Sequence, residues 1–228
     1  MFRRILDFIA PRSCVVCGKR LGIHDEALCP VCVLKLPRTN FHLSPLDNPM
    51  ARLFWGIIPV ERVSAYTYYA PGSEMARIVY DLKYHNRPDI GITLGRLMAN
   101  DLQSTGFFDG IDTLVPVPLT WRRERHRGYN QSRMLAQGVS EITHLPVSDC
   151  AMRRTVFNVS QTELSRWGRL ENVEDAFQLR NAASLRGQHV LLIDDIITTG
   201  ATVSACAREL LKVDGVRVSI LAFGYSKS

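Results

Sequence analysis

The apolar positions of this chain follow two rhythms. VERVSAYTYYA (60–70), DTLVPVPL (112–119) and the run over 188–194 are β-rich or continuously apolar and bounded by turn residues, as buried strands are, and Pro118 stops the second. Segments near 173–180 and 215–223 read as further strands. Between them PGSEMARIVYDLKYHN (71–86), RPDIGITLGRLMANDLQ (87–103), a stretch from about Asn130 to Ile142 and one over 201–213 place apolar residues at helical spacing. Such alternation predicts βαβ units, and hence an α/β fold with a mostly parallel sheet flanked by helices. LPRTNFHLSPLDNPMARLFWG (36–56) has neither rhythm and several prolines, which makes it a connector. It separates a small N-terminal module over 1–45 from a larger domain over 57–228. No internal repeat or low-complexity tract is visible.

The passage VLLIDDIITTGATVSACARELL (190–211) carries a strand into a helix. In open α/β sheets ligands bind at the carboxyl ends of strands, and the free N–H groups of a following helix attract anions. Here Asp194 and Asp195 close the strand, and Thr198, Thr199, Gly200, Ala201 and Thr202 open the helix. Carboxylates suit neutral hydroxyls, amides and threonine hydroxyls suit a phosphate, and a ribose 5-phosphate offers both. Gly200 is at ease at a left-handed or close-approach position. A capping aspartate explains one short polar residue but neither the second acid nor the threonines. There is no G-x-x-x-x-G-K-[ST], since Gly18-Lys19 is followed by Arg20, and no G-x-G-x-x-G. Facing an empty pocket, the two acids repel one another, so asparagine at either is expected to leave stability unchanged or slightly higher.

A net charge of +6 and a pI of about 9.1 favour anionic partners, phosphorylated small molecules or nucleic acid. VPVPLTWRRERHRGYNQS (115–132) gathers Arg122, Arg123, Arg125, His126 and Arg127 in what reads as a loop after a strand, a grip for pyrophosphate or for a nucleic-acid backbone. MRRTVFNVSQTELSRWGRLENVEDAF (152–177) adds Arg153, Arg154, Arg166 and Arg169 on a stretch long enough to act as a lid. Tyr80, Tyr84, Trp121 and Tyr129 are able to stack a base, with core packing as the competing use. Four of the six cysteines form two C-x-x-C pairs, Cys14 and Cys17 then Cys29 and Cys32, a set suited to one tetrahedral structural Zn²⁺. Cys150 and Cys206 stand alone and receive no role. No apolar run approaches the roughly 18 residues of a membrane span, and Asp7 breaks the short apolar start, so a cytoplasmic location is expected.

VLLIDDIITTGAT resembles the phosphoribosyl-pyrophosphate (PRPP) motif of type I phosphoribosyltransferases. With the two basic segments ahead of it and the four cysteines at the front, the chain is similar over nearly its whole length to the ComF/GntX family. The resemblance implies a type I phosphoribosyltransferase-like domain behind a zinc-ribbon-like module. It makes 115–132 the counterpart of the pyrophosphate loop and 152–177 that of the flexible catalytic loop. It also implies PRPP or another phosphorylated ribose as ligand, with Mg²⁺, held by Asp194, Asp195, Thr198, Thr199, Gly200, Ala201 and Thr202. Arg122, Arg125 and Arg127 are the candidates to meet the leaving group, with Arg153, Arg154 and Arg166 closing over it, and Arg125, Arg127, Arg153, Arg154 and Arg166 join the two acids as the catalytic set. Family members are linked to uptake of transforming DNA or to gluconate use, which makes competence or DNA-processing proteins expected partners. Two functions stand: transfer or recognition of a 5-phosphoribosyl group, and binding of single-stranded DNA by an accessory protein without that catalysis.

Overall fold

The two rhythms become one sheet and the helices that cover it. In a computed structural model, which describes residues 12–23, 25–155 and 176–226, four parallel strands, β1 (Val63–Tyr68), β2 (Thr113–Pro116), β5 (His189–Ile197) and β6 (Arg217–Tyr225), pair in the order β1-β6-β5-β2. The strands read as apolar runs because both faces are covered. On one face Leu191, Ile193, Leu114, Leu221 and Phe223 pack against α2 (Glu74–Tyr84), α3 (Pro88–Leu102) and α5 (Gln131–Thr143). On the other, Val190, Leu192, Val115, Ile220 and Ala222 meet Val203, Cys206 and Leu210 of α6 (Ala201–Leu211), as the period of two requires.

Local chemistry sets the helix ends. The Ser73 and Asn130 side chains accept from the N–H groups of Ala76 and Ser132, and Pro88 occupies the first turn of α3. Gly95 and Gly138 let α3 and α5 touch backbone to backbone: a Cβ on either would stand 2.1 Å from a carbonyl oxygen of the other helix. That contact seats the first turn of α5 against the end of β5.

Three expectations change. Residues 36–56 are more than a connector, because Phe41, Met50, Ala51 and Phe54 are buried in the core on the α6 face. Buried Asn48 knits this coil, donating to the Ser44 and Val63 carbonyls at 2.9 Å and accepting from the N–H groups of Met50 and Ala51. Side-chain bonds replace a ladder or helix, so no period marks it. The basic stretch after β2 is a helix, α4 (Trp121–Arg127), capped by Thr120 and ended by Gly128 at φ 83°. Of the region 173–180, the described residues from 176 onward contribute β4 (Phe177–Leu179), paired antiparallel with β3 (Met152–Arg154) outside the main sheet. Residues 156–175, with Arg166, Arg169 and most of the expected lid, lie outside the described residues.

The cysteine segment forms two turns and the short α1 (Pro30–Leu34), and it docks on α2 and α3. Val15, Val16, Leu21 and Leu28 share the core of those helices, Arg96 bridges to Glu26 at 2.5 Å, and Arg77 donates to the Val16 carbonyl at 3.2 Å. Among the described residues no helix is long and apolar enough to cross a membrane.

Candidate functional site

β2 ends at Pro116 opposite Ile193, so β5 continues past its neighbour and presents Asp194 and Asp195 at an open strand end. The two acids meet different surroundings. Asp194, half-buried, accepts from the Ser132 hydroxyl at 3.0 Å and from the Asp195 N–H at 2.9 Å. Burial, and then the neighbouring Asp195 charge, push its pKa up to about 7 against those hydrogen bonds and the Lys83 charge. Asp195 is 9% exposed and pairs with the Lys83 ammonium at 2.7 Å, while its other oxygen accepts from the Ile196 N–H.

Beyond the acids the chain turns through Thr198 and Thr199 into α6. Gly200 sits at φ 76°, and a Cβ there would be 3.0 Å from the Phe54 ring. The glycine is therefore required by both conformation and space. Asp194, Thr198, Thr199, Gly200, Ala201 and Thr202 line a single small pocket of about 50 Å³ at the N-terminus of α6. Of the residues expected to hold the ligand, these six share the pocket, while Asp195 does not line it and faces Lys83.

The arginines are not. Helix α4 stands between two basic pockets. On one side a cavity of about 620 Å³ is lined by Trp121, Glu124, Arg133, Cys150, Arg153, Arg154 and Arg180 among others. The cavity is also lined by Pro116, the partner of Ile193 in the sheet, and by Asn130, whose side chain accepts from the N–H of Ser132, the residue that donates to Asp194, so it opens beside the acid pair. On the other side a pocket of about 330 Å³ is lined by Lys83, Tyr84, Asn86, Arg125, His126, Arg127 and Gly128. Arg127 donates to Gln131 Oε1 at 3.0 Å and lies over Tyr84, while Arg125 lies over Trp121. The two expected arginine groups thus flank the acid pair from different pockets.

Lys83, Ser132, Arg133 and Arg180 were not expected. A lysine in the last turn of an amphipathic helix reads as a solvated face, and nothing local signals its partner 112 positions away. Ser132 had a signal, since it closes the GYNQS stretch at the start of α5. Tyr129 is core, its hydroxyl bound to the Leu82 carbonyl, whereas Tyr80, Tyr84 and Trp121 are exposed. Cys206 is buried and Cys150 exposed.

Cys14, Cys17, Cys29 and Cys32 form a cluster with all four sulfurs within 4.8 Å of one another, able to hold a metal ion. Burial works against ionising Cys14, but N–H groups of Cys17, Cys29 and Val16 outweigh it and hold the thiol down at about 7. Burial pushes Cys32 up, and its hydrogen bonds with the other cysteines push it further. Four cysteine sulfurs at this separation suit one metal ion that takes thiolate ligands.

The phosphoribosyl transferase domain family matches residues 84–225. DNA utilization protein YhgH of Escherichia coli (strain K12) is 32% identical over 210 residues, 91% of this chain and 87% of the relative. Competence protein ComFC of Bacillus subtilis (strain 168) is 28% identical over 218 residues, covering 90% and 85%. Competence protein F of Haemophilus influenzae is 32% identical over 142 residues, covering 60% and 61%.

Proposed function

The chain belongs to the ComF family, built on a phosphoribosyl transferase domain, and from that premise we propose that it binds PRPP and transfers its 5-phosphoribosyl group. The observation that carries this reading is the convergence of two anion-fitting pockets on one acid pair. The turn pocket suits the 5-phosphate through the amides and hydroxyls of Thr198, Thr199, Gly200, Ala201 and Thr202. Asp194 and Asp195 accept the ribose hydroxyls. The cavity on the β3–β4 side of α4 takes the diphosphate with Arg153 and Arg154, and the family resemblance gives Arg166, outside the described residues, a part in the same task.

The acid pair fits a divalent cation, because Asp194 and Asp195 present two carboxylates, hard oxygen ligands, side by side at the end of β5, and Lys83 pairs with Asp195 alone. Mg²⁺, when bound, adds charge neutralisation of the diphosphate. The rest of the chemistry belongs to side chains. As the bond from sugar C1 to diphosphate breaks, its electron pair leaves with the diphosphate, whose charge the arginines meet, and the acceptor's lone pair takes its place at C1. Positioning and electrostatics supply the acceleration without a protein nucleophile. The four cysteines are assigned to structural Zn²⁺, whose tetrahedral thiolate preference matches the cluster.

A second reading, binding of single-stranded DNA, is favoured by one observation. Tyr80 and Tyr84, 4.9 Å apart, continue through Arg127 to Arg125 and Trp121 as a strip of exposed rings and cations. Calorimetric titrations separate the two. The first reading expects saturable PRPP binding that requires Mg²⁺ and the acids. Heat only from an oligonucleotide, falling steeply with salt and tracking the arginines, would replace it with the second.

A further inference from the structure

Where the cysteine module meets α3 there is an apolar groove. Leu28, Pro30, Val33 and Leu34 of the module and Thr93 and Leu97 of α3 line a concavity of about 480 Å³, together with Asp25. Val33 and Leu97 are only partly buried, at the margin of the core. Leu34, at the end of α1, is 86% exposed, more than any other large apolar side chain among the described residues. A single exposed leucine is ordinary, but one beside a concave apolar surface marks a place where another apolar surface docks.

The start of the chain supplies that surface. Residues 1–11 precede the described residues. In FRRILDFI (2–9), Phe2, Ile5, Leu6 and Ile9 have the i, i+3, i+4, i+7 spacing of one apolar helix face, with Arg3, Arg4 and Asp7 on the opposite one. At helical rise this stretch is about 12 Å long, and Ala10 and Pro11, reaching at most about 7 Å, join it to Arg12. The attachment point lies at the groove itself. The Arg12 guanidinium donates to the Asp25 carbonyl at 2.7 Å, its own carbonyl accepts from the Leu21 N–H at 2.8 Å, and Asp25 is part of the lining. We propose that residues 2–9 dock in this groove as an apolar clasp between the cysteine module and α3. A linker this short gives an effective concentration on the order of millimolar, which favours the chain's own segment over a second copy or another protein.

The test is hydrogen–deuterium exchange of the purified full chain, read by mass spectrometry on peptides within 2–9. A helix of eight residues is marginal in water by itself, so slow exchange there requires a surface to dock on. In the wild type these amides should exchange about tenfold or more slowly than in Leu34→Asp or Leu6→Asp. Leu34→Asp alters only the groove, at a side chain already in water, and Leu6→Asp alters only the segment, so peptides of the main sheet should exchange as in the wild type in both. The protection should not change when the protein is diluted. Unprotected amides in the wild type, or protection that survives Leu34→Asp, overturns the proposal. So does protection that fades on dilution, which gives the groove to a second copy, or protection that appears only with phosphatidylglycerol vesicles, which makes the segment a membrane-surface helix.

Discussion

The β5–α6 turn and the basic stretch after β2 are alike in sequence, each a dense run of ligand-type residues at a parallel strand end, and they fold in opposite ways. In the turn the backbone stays irregular until Gly200, and Asp194 and Thr198 to Thr202 line one pocket. In the basic stretch the same density is wound into α4, whose turning of about 100° per residue sends neighbours apart. Trp121 and Glu124 reach one cavity, while Arg125, His126 and Arg127 reach another. Contiguity in sequence becomes convergence in space only where the chain does not coil.

The largest effect should come from Gly200→Val. A β-branched residue at φ 76° facing Phe54 carries strain of about 1–3 kcal/mol, and ribose 5-phosphate binding should disappear in a titration of the folded protein. Retained binding would mean that the turn does not hold the phosphate.

Next comes a partition of the arginines. Arg154→Ala removes a charged donor worth about 1.5–3 kcal/mol, so PRPP should weaken by roughly tenfold or more while ribose 5-phosphate changes little. Arg125→Ala/Arg127→Ala should weaken PRPP by less than about threefold, under 1 kcal/mol. Equal losses in the two variants would erase the difference between the pockets.

The strands of the sheet, the helices α2, α3, α5 and α6 and the turn were legible because each is written in consecutive residues with a period or a fixed order. The walls of the site were not. Arg133 and Arg180 reach the larger cavity from separate elements, and Lys83 reaches Asp195 across the sheet face, with no local signal for either meeting. The role of 36–56 escaped for another reason, since Asn48 and short 3₁₀ turns bury Met50 and Phe54 without any periodicity. Reading α4 as a loop came from its run of charges, although Thr120 and Gly128 are fair helix boundaries.

A smaller effect separates the two acids. Stability from a carboxyl whose folded pKa is raised is complete below its unfolded value near 3.8 and is lost as pH rises through about 7. Asp194→Asn should therefore raise the melting temperature at pH 8, by about 2–4 °C for each kcal/mol gained, and change it little at pH 5. Asp195→Asn should instead lower it, because Lys83 loses its partner. This departs from the expectation that both changes are harmless, and thermal scans at the two pH values check it. The smallest effect belongs to Arg122→Ala, exposed and lining neither basic pocket, with stability within about ±0.5 kcal/mol and PRPP affinity unchanged.

The central claim is that Asp194 and Asp195 grip the sugar of PRPP, and the dissociation constant of Mg²⁺-PRPP at pH 8 tests it most directly. Asp194→Asn and Asp195→Asn should each weaken binding by about tenfold or more, at roughly 1.4 kcal/mol per factor of ten, in protein shown to be folded. Wild-type affinity in the folded fraction of both variants, with a melting temperature that falls in each, would make the two acids structural and contradict the account.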